Sequence, residues 1–289
     1  MDLQRDFPTE EACLEWLVIS RWPEGITCTV CQKVTKHYKE TSRKSYACGQ
    51  CGNHFHPMAS TIFHRSRIPL TYWMYAIYRL GESKSGVAAT QLQRELGVTY
   101  KTAWRMLHQI RQQMHPSDTL LQGEVELDET FVHPNPYKRS TAGRKYGYDA
   151  RRTGSVIFGM VERGGEAKVW HVKAAGVRIL QPLIQAHVKP GTLIHTDGYL
   201  AYRTLPKRGY EHRWTDHGKG QYYTLDSHTQ NIENVWSHFK RGIKGVYRHV
   251  SDTYLELYAW EFAYRYSHRK YPSIFWVLAI RASQPVLKA

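Results

Sequence analysis

Four of the five cysteines in this 289-residue chain lie in two matched pairs within one short stretch. The pairs are Cys28-x-x-Cys31 and Cys48-x-x-Cys51, with sixteen residues between them. Each pair is typical of a tight turn that directs two thiolates at one point, and two such turns complete a tetrahedral site. The spacing therefore predicts a zinc ribbon with a structural Zn²⁺ ion, in which metal binding supplies much of the folding free energy.

Other cysteine and histidine residues near the ribbon are weaker candidates as ligands. His54 and His56 follow the second pair closely and could substitute for a cysteine, but they are more often solvated or directed at a phosphate. Cys13 stands alone, and we expect it to be a small buried apolar residue. Paired cysteines in a reducing compartment are more often metal ligands than disulfides, which agrees with an intracellular protein.

The charge balance predicts a polyanionic partner. Lysine and arginine number 40 against 25 aspartate and glutamate, which gives a formal net charge of +15 and a pI near 9.6. Such an excess is typical of proteins that neutralise phosphates, although a basic surface that serves only solubility has the same composition. No stretch approaches the roughly 20 apolar residues of a membrane span. Because the first residues also lack the pattern of a signal peptide, we expect a cytoplasmic, nucleoid-associated protein.

Residues 69–114 have the pattern of a helix-turn-helix. Apolar spacing predicts helices at 71–80, 86–96 and 99–114, with Gly97 in the turn between the last two. A plain three-helix unit would show the same apolar stripes. In a basic chain with a zinc ribbon we favour DNA binding, with the last helix in the major groove. The outward-facing residues predicted to contact DNA are Tyr100, Lys101, Thr102 and Arg105.

Strands and helices alternate after residue 117, which predicts an α/β domain with a mixed sheet. A short helix at residues 5–22 precedes the ribbon. The segments of the later part are a strand at 123–132, a hairpin at 155–172, a helix at 177–188, a strand at 192–197 and helices at 229–243 and 251–270. A basic, glycine-containing loop lies at 133–154. The predicted domains are 1–60 (helix and ribbon), 61–116 (helix-turn-helix) and 117–289 (catalytic).

Three acidic residues stand where they could share a cleft. Asp128 and Asp197 mark strands, and Glu233 lies on a helix. Three convergent carboxylates can hold one or two Mg²⁺ or Mn²⁺ ions, which take oxygen ligands together with substrate phosphates. Taken singly, a strand-end aspartate is commonly a turn former and a helical glutamate is commonly solvated. Glu126 and Glu129 are local alternatives to Asp128, and strand alternation puts Glu126 on the same side as Asp128.

Three blocks of the sequence resemble the catalytic blocks of DDE transposases. They read VELDETFV, IHTDGYLAY and HTQNIENVWSHFKRGIKGVYRHVS. The chain is most similar to the bacterial insertion-sequence group that carries an N-terminal zinc ribbon and is related to eukaryotic Merlin elements. The 35 residues between Asp197 and Glu233 are a typical separation in such enzymes, and the resemblance covers nearly the whole chain.

The resemblance implies a ribonuclease-H-like catalytic domain that holds Mg²⁺ through Asp128, Asp197 and Glu233. Asp128 would lie on the first strand, Asp197 just after the fourth, and Glu233 on a following helix. The family's basic residue after the glutamate matches Lys240, two helical turns further on, where it could hold a DNA phosphate. The loop after Asp128 departs from the family, since it reads HPNPYKRS in place of a glycine-lysine run.

Further residues around the three acids are lesser candidates. His195 shares a strand face with Asp197 and could reach the cleft or only pack, and His228 and Asn231 could shape the metal site. Trp236 is more often a core residue than a platform for base stacking. Three cations predict a stripe that contacts phosphate, although a solvated basic face has the same residues: Arg241, Lys244 and Arg248.

The sequence thus predicts a DNA transposase with metal-activated water as its nucleophile. Its partners would be double-stranded DNA, namely the terminal inverted repeats of its element and the target, and a homodimer or higher oligomer would hold two ends together. Two alternatives remain open at this point. One is a DNA-binding regulator derived from a transposase, and the other is a nuclease or resolvase of the same fold.

Overall fold

The computed structural model describes residues 2–40, 43–132, 154–215 and 228–286. The basic loop predicted at 133–154 lies outside the described residues except for its last position. The chain divides into two compact units. The ribbon–helix unit comprises residues 1–83, 89–113 and 272–289, and the sheet unit comprises residues 84–88 and 114–271.

The helices and strands are numbered in chain order. The α-helices are α1 Leu3–Asp6, α2 Glu10–Arg21, α3 Leu70–Glu82, α4 Ala89–Leu96, α5 Tyr100–Gln112, α6 Val177–His187, α7 Gln230–Gly242, α8 Leu255–Ser267 and α9 Ile274–Ser283. The strands are β1 Thr27–Cys28, β2 Lys33–Val34, β3 His37–Glu40, β4 Ser45–Cys48, β5 His54–Phe55, β6 Glu124–Val132, β7 Ser155–Glu162, β8 Ala167–Val172, β9 Leu193–Asp197 and β10 Glu211–Thr215.

The ribbon is built from two small antiparallel sheets. Strands β1 and β2 pair with each other, and β3, β4 and β5 form the second sheet in that order. Cys28 ends β1 and Cys48 ends β4, so that each Cys-x-x-Cys turn leaves the end of a strand. The buried residues among those described in this segment are Cys28, Ser45, Tyr46 and Cys48, and so small a core agrees with a fold that depends on a metal.

Helices of the ribbon–helix unit begin at the side chains that the sequence marks as caps. The hydroxyl of Thr9 accepts a hydrogen bond from Ala12 N at the start of α2, and Thr99 does the same for Thr102 N at the start of α5. Gly97 has a φ of +66°, which a residue with a side chain rarely adopts, and it makes the turn between α4 and α5. The predicted helix-turn-helix is therefore present, with its second helix at Tyr100–Gln112.

The core of the ribbon–helix unit joins the two ends of the chain. Leu17 of α2, Met74 and Ile77 of α3, and Phe275 and Leu278 of α9 are all fully buried. Helix α9 is absent from the sequence-based prediction, and it packs against both α2 and α3. Residues 272–289 were predicted to belong to the catalytic domain, yet by contacts they group with the first hundred residues. The predicted domain boundaries stay predictions, because grouping by contact does not show which part folds alone.

A five-stranded mixed sheet forms the centre of the sheet unit. Its strand order is β8-β7-β6-β9-β10. Strands β6, β7 and β8 are antiparallel neighbours, whereas β9 runs parallel to both β6 and β10. Numbered within the unit, the order is 3-2-1-4-5 with only the second strand reversed, which is the topology of ribonuclease-H-like folds. The predicted fold class is confirmed.

Helices cover the two faces of this sheet. Helices α7 and α8 pack on one face, where Ile157, Trp236, Phe239 and Phe262 are among the buried residues. Helix α6 packs on the opposite face, against a cluster that includes fully buried Tyr202. Because side chains alternate along β6, Glu126 and Asp128 face α7, whereas Glu129 faces the other way. None of the described helices is long and apolar enough to cross a membrane.

Candidate active site

The two candidate aspartates lie on neighbouring parallel strands at the same edge. The last paired residues of β6 and β9 are Glu126 and His195. Asp128 and Asp197 each lie two residues beyond that pair, so alternation directs both side chains toward the same face of the sheet. Asp197 is the last residue of β9 rather than the residue after it, and its Oδ1 accepts a hydrogen bond of 3.0 Å from Tyr199 N.

Helix α7 brings an indole into contact with the first aspartate. Trp236 is 4% exposed, and its Nε1 donates a hydrogen bond of 3.0 Å to Asp128 Oδ2. Gly159 of β7 lies opposite Asp128 and makes room for the ring, because a Cβ there would lie 2.6 Å from two Trp236 carbons. Trp236 is thus a core residue, as the sequence favours. Its contact with the carboxylate is something the sequence does not show.

Glu126 fastens the start of α7 to β6. This carboxylate is fully buried and accepts hydrogen bonds from Asn231 N and Asn231 Nδ2, each at 2.8 Å, and from Ile232 N at 3.2 Å. Arg163 Nε donates to it at 2.9 Å. A carboxylate at a helix N-terminus satisfies backbone N–H groups that have no partner within the helix and also interacts favourably with the helix dipole. Glu126 therefore fixes the strand of Asp128 against the helix of Glu233.

The residues just before Glu233 also hold the start of α7 against the sheet. Arg163 Nη2 donates a hydrogen bond of 2.9 Å to the carbonyl of His228, and Tyr266 Oη donates one of 3.0 Å to Asn231 Oδ1. His228 and Asn231 thus help to fix the position of α7, and that they shape a metal site stays a prediction. His195 is fully buried, with its Nε2 3.0 Å from Glu124 Oε2, and it packs within the sheet.

Glu233 and Lys240 lie on α7 with exposed side chains. The Oε1 of Glu233 accepts a hydrogen bond of 2.8 Å from the hydroxyl of Thr229. Lys240 follows two helical turns later, on the same side of the helix. Glu233 and Lys240 do not make the contact between α7 and β6; the buried residues Ile232 and Trp236 on the buried face of the helix make it.

The charges of these acids affect one another. Burial, followed by the negative charge of Asp197, raises the pKa of Asp128 from 3.8 to about 7, and Glu233 adds to the rise. Hydrogen bonds from Glu129 N and Trp236 oppose it. Burial also raises the pKa of Glu129 to about 8. Carboxylates that repel each other in this way form a donor set that a divalent cation would neutralise.

Asp128 interacts electrostatically with Asp197 and Glu233, but the oxygen atoms of the three carboxylates do not converge on one point. Among the described residues, the acids do not form a group whose ligand oxygens all lie within 4.8 Å of one another, whereas the four cysteines do form such a group. Asp128 lies half-buried on the sheet, and Glu233 lies exposed on the helix above it. Magnesium needs only one or two carboxylates in direct contact and keeps several waters, so this looser arrangement fits it.

A cleft of about 310 Å³ opens beside Asp197. The indole of Trp214 on β10 is 52% exposed and lies against Gly198, where a Cβ would meet its ring at 3.7 Å. Tyr199 is anchored by a hydrogen bond of 2.5 Å from its hydroxyl to Ala175 O. The cleft combines aromatic faces, a guanidinium and a carboxylate, and its lining residues are Asp197, Gly198, Tyr199, Arg203, Pro206, His212 and Trp214.

The four cysteines of the ribbon form a cluster of the size that zinc requires. Cys28 Sγ lies 3.6 Å from Cys51 Sγ, and Cys31 Sγ lies 3.9 Å from Cys48 Sγ. Ligands at the usual Zn–S distance of about 2.3 Å on a tetrahedron are about 3.8 Å apart, so the sulfurs fit the ion. The structural zinc site predicted from the sequence is supported.

Hydrogen bonds and neighbouring sulfurs act on these thiols in opposite directions. A hydrogen bond from the Thr35 hydroxyl, followed by one from Gln50 N, lowers the pKa of Cys48 to about 5. Cys51 and the other close sulfurs raise the pKa of Cys31 to about 12. The four cannot all be thiolates without a cation among them. Outside the cluster, Cys13 is fully buried, as predicted, and His54 and His56 are exposed.

Comparison with known proteins identifies the family. Residues 120–267 match the ISXO2-like transposase domain, and residues 8–54 match the transposase zinc-ribbon domain. The first match alone spans more than half of the chain. The chain belongs to the ISXO2-like transposase family.

A curated relative and two solved structures are similar to this chain. An uncharacterized protein in transposable element ISH50 of Halobacterium salinarum is 26% identical over 269 residues, which cover 88% of this chain and 91% of the relative. A simian T-cell lymphotropic virus intasome in complex with PP2A regulatory subunit B56 gamma shares 16% identity over 60% of this chain and 63% of that chain, with a TM-score of 0.32. The Mos1 strand transfer complex shares 12% identity over 68% of this chain and 74% of that chain, with a TM-score of 0.22. At these TM-scores the structural likenesses carry no argument about the chain.

The residues predicted to contact DNA lie on two helical segments. Tyr100, Lys101 and Arg105 are exposed on α5, whereas Thr102 is half-buried beside its helix cap. On and after α7, the three cations predicted to contact phosphate are exposed: Arg241, Lys244 and Arg248. Arg241 Nε donates a weak hydrogen bond of 3.3 Å to Ser237 O on its own helix.

Sequence reasoning misses the groups that work through tertiary contacts. Examples are the hydrogen bonds of Glu126 to the start of α7, the room that Gly159 leaves for Trp236, and the exposed indole of Trp214. The alternating pattern of VELDET does place Glu126 on the correct side of β6. No signal in the sequence marks its partners more than a hundred residues away.

Proposed function

We propose that this chain is a DNA transposase that cleaves phosphodiester bonds at the ends of its element and joins the 3′-hydroxyl ends to target DNA. The observation that carries the proposal is the register of β6 and β9. It directs Asp128 and Asp197 from adjacent parallel strands to one face of the sheet, and α7 lies across that face with Glu233.

Asp128, Asp197 and Glu233 would hold Mg²⁺ or Mn²⁺. The bound cation would supply a Lewis acid that activates water or a 3′-hydroxyl and neutralises charge on the scissile phosphate. The protein's own part is to bring the three carboxylates together and to fix their orientation. Trp236 orients Asp128 through its N–H, Tyr199 N orients Asp197, and Thr229 orients Glu233.

A DNA end would lie in the cleft beside Asp197. Arg203 would contact a backbone phosphate there, and the exposed rings of Tyr199 and Trp214 offer apolar faces to sugars or bases. Lys240, exposed on α7, would hold a phosphate beyond the scissile bond. These contacts position the strand, which is the main contribution a protein makes to phosphoryl transfer between bound partners.

Recognition of the element ends would come from the ribbon–helix unit. Helix α5 would enter the major groove with Tyr100, Lys101, Thr102 and Arg105, and the zinc ribbon would bind beside it. Arg241, Lys244 and Arg248 would contact phosphates from the sheet unit. Joining two ends in one reaction requires two copies of the chain or more on the DNA.

An assay of strand transfer tests this function. The protein is incubated with a labelled fragment that carries an element end, a plasmid target and Mg²⁺, and wild type is compared with Glu233→Gln. We expect joined products from the wild type and none from the variant, whose side chain keeps its size but loses its charge. Joined products from Glu233→Gln at the wild-type rate would contradict the assignment.

The same assay separates the two alternatives. Pre-cut ends bypass cleavage, so a nuclease or resolvase of the same fold would cut the uncut fragment yet fail to join the pre-cut one. A regulator derived from a transposase would bind the fragment but neither cut nor join it. We expect pre-cut ends to be joined with the same requirement for Asp128, Asp197 and Glu233.

A further inference from the structure

A second basic cleft lies in the ribbon–helix unit, outside the candidate active site. It has a volume of about 280 Å³ and is lined by the segment that precedes α3 and by one side of α5. Arg65 and Arg67 come from the segment, and Arg105 comes from the helix. The buried side chains of Trp73 and Met106 give the cleft an apolar part of its lining.

The three guanidinium groups are available for an outside partner. All three arginines are exposed, and none of them has an ion-pair partner among the residues that the structure describes. Several acids of the same unit are paired with other cations, as Glu95 is with Arg79 and Glu10 with Lys44. Three cations that converge without an internal carboxylate form a site for an anion.

The segment that carries Arg65 and Arg67 is held in one conformation. Ser66 Oγ accepts hydrogen bonds from Trp73 Nε1 at 3.0 Å and from Ile68 N at 3.1 Å, and Ser66 N donates to Phe63 O at 3.0 Å. Phe63 is fully buried against the ring of Trp73. Arg65 itself has a φ of +53°, a conformation that residues other than glycine adopt rarely and that here the neighbouring bonds maintain.

We propose that this cleft binds a backbone phosphate of double-stranded DNA and thereby sets the position of α5 in the major groove. The inference rests on the proposed DNA binding by α5 and extends it to Arg65 and Arg67, which lie in the segment before α3. Arginine suits the task because its planar fork donates two hydrogen bonds to one phosphate. Arg105 faces the cleft, so its role is to contact the backbone rather than a base.

The salt dependence of DNA binding distinguishes phosphate contacts from base contacts. Each phosphate contact contributes about 0.9 to the slope of log K against log salt concentration, and its loss weakens all sequences alike. Binding of the full-length protein is measured over a range of salt with two duplexes, one with an element end and one unrelated. The variants are Arg65→Ala, Arg67→Ala and Arg105→Ala, with Arg5→Ala as a control that removes one exposed cation from the same unit.

We expect each of the three variants to weaken both duplexes by a similar factor, roughly tenfold at moderate salt, and to lower the slope by about one. Arg67→Lys should keep the slope, because the charge remains, while it weakens binding at every salt concentration. The Arg5→Ala control should match the wild type. Circular dichroism and zinc content confirm that each variant is folded.

Two outcomes would overturn the inference. One is an unchanged slope in all three variants, and the other is weaker binding to the element end alone, which would assign the arginines to base contacts. Whether the wild type prefers the element end tests the proposed function separately. The slope remains readable on the unrelated duplex even if that preference is absent, and a wild type that binds neither duplex contradicts both proposals.

Discussion

At the scale of single residues, the candidate site depends on a carboxylate that is difficult to ionise. Burial, followed by the negative charge of Asp197 and then that of Glu233, raises the pKa of Asp128 to about 7, and the hydrogen bond from Trp236 opposes this rise. Carboxylates with a raised pKa are typical of functional sites, where binding of a cation relieves the repulsion between the negative charges. Without a cation, this repulsion lowers the free energy of unfolding of the protein.

The raised pKa predicts a stability that falls with rising pH. Between about pH 4 and pH 7 the folded protein keeps the Asp128 proton while the unfolded chain, with a pKa near 3.8, has lost it. The free energy of unfolding of the metal-free protein should therefore decrease across this window. Asp128→Asn should lose the part of this decrease that comes from Asp128, while the raised pKa of Glu129 still lowers the stability of both proteins as the pH rises. Relative to wild type, the variant should gain roughly 4 kcal/mol between pH 4 and pH 7 and nothing below pH 4. Urea denaturation at a series of pH values measures it, and parallel curves for the two proteins would contradict it.

The indole of Trp236 is expected to matter through its N–H group. Trp236→Phe keeps a ring in the space over Gly159 but removes the donor to Asp128. A hydrogen bond to a charged group is worth about 1.5–3 kcal/mol, so strand transfer should slow by roughly tenfold to a hundredfold. Trp260→Phe is the matched control, because that indole donates to the carbonyl of Val169 instead. Equal rates for the two variants would show that Trp236 serves packing alone.

At the scale of elements, the decisive contact is the docking of α7 on β6. The sheet supplies Asp128 and Asp197 from adjacent strands, and the position of Glu233 relative to them is set by how the helix is held. Glu126, which is itself fully buried, does this with hydrogen bonds to the first turn of α7 and an ion pair with the half-buried Arg163. A buried carboxylate with this many partners is a structural joint rather than a further metal ligand.

Loss of that joint should be costly. Glu126→Gln replaces a charged acceptor by a neutral amide in a fully buried position and leaves Arg163 without its buried partner. We expect a loss of about 3 kcal/mol in the free energy of unfolding, together with weaker divalent metal binding. Glu124→Gln is the control, since Glu124 also pairs with Arg163 but is half exposed, and it should cost less than about 1 kcal/mol. Similar losses for the two variants would contradict the assignment of Glu126.

Much of the fold could be predicted from local patterns. The cysteine spacing indicates the ribbon, Thr9 and Thr99 mark helix starts, and alternation marks β6, the hairpin and β9. Strand β10 escapes prediction because it is a short edge strand with few apolar residues. Helix α9 escapes because it is apolar on nearly all sides, and such a segment shows no helical periodicity.

The candidate site is less accessible from sequence than the fold. Alternation places Asp128 and Glu126 on one side of β6, but spacing alone leaves open which of them binds metal. The resemblance to DDE transposases selects Asp128, Asp197 and Glu233, and the structure adds that Glu126 is occupied by α7. Contacts between residues a hundred positions apart are set by tertiary packing, so no local pattern encodes them.

At the scale of the whole molecule, the zinc site of the ribbon and the proposed metal site of the carboxylates lie in different units. The four cysteines of the ribbon lie in the ribbon–helix unit, and Asp128, Asp197 and Glu233 lie in the sheet unit. A chelator selective for zinc should therefore affect recognition of DNA without acting directly on the chemistry. The net charge of +15 adds attraction for DNA that is independent of both sites and sensitive to salt.

Loss of the zinc ion should weaken binding to the element end. Cys28→Ser removes one ligand, and we expect the zinc content to fall and the affinity for the element end to drop by about tenfold or more. Cys13→Ala, which removes a cysteine outside the cluster, should keep one zinc per chain. Metal analysis and fluorescence anisotropy give both quantities. Unchanged affinity after loss of zinc would show that the ribbon has no part in recognition.

Binding of Mn²⁺ to the sheet unit's acids tests the shared metal site most directly, because it requires neither DNA nor turnover. Calorimetric titration of the zinc-loaded protein compares wild type with Asp128→Asn, Asp197→Asn and Glu233→Gln, with Asp252→Asn as an exposed control in the same unit. We expect each of the three substitutions to weaken Mn²⁺ binding by tenfold or more, the control to have no effect, and zinc to remain at one ion per chain. Wild-type affinity in any of the three variants would contradict a site built from all of these carboxylates.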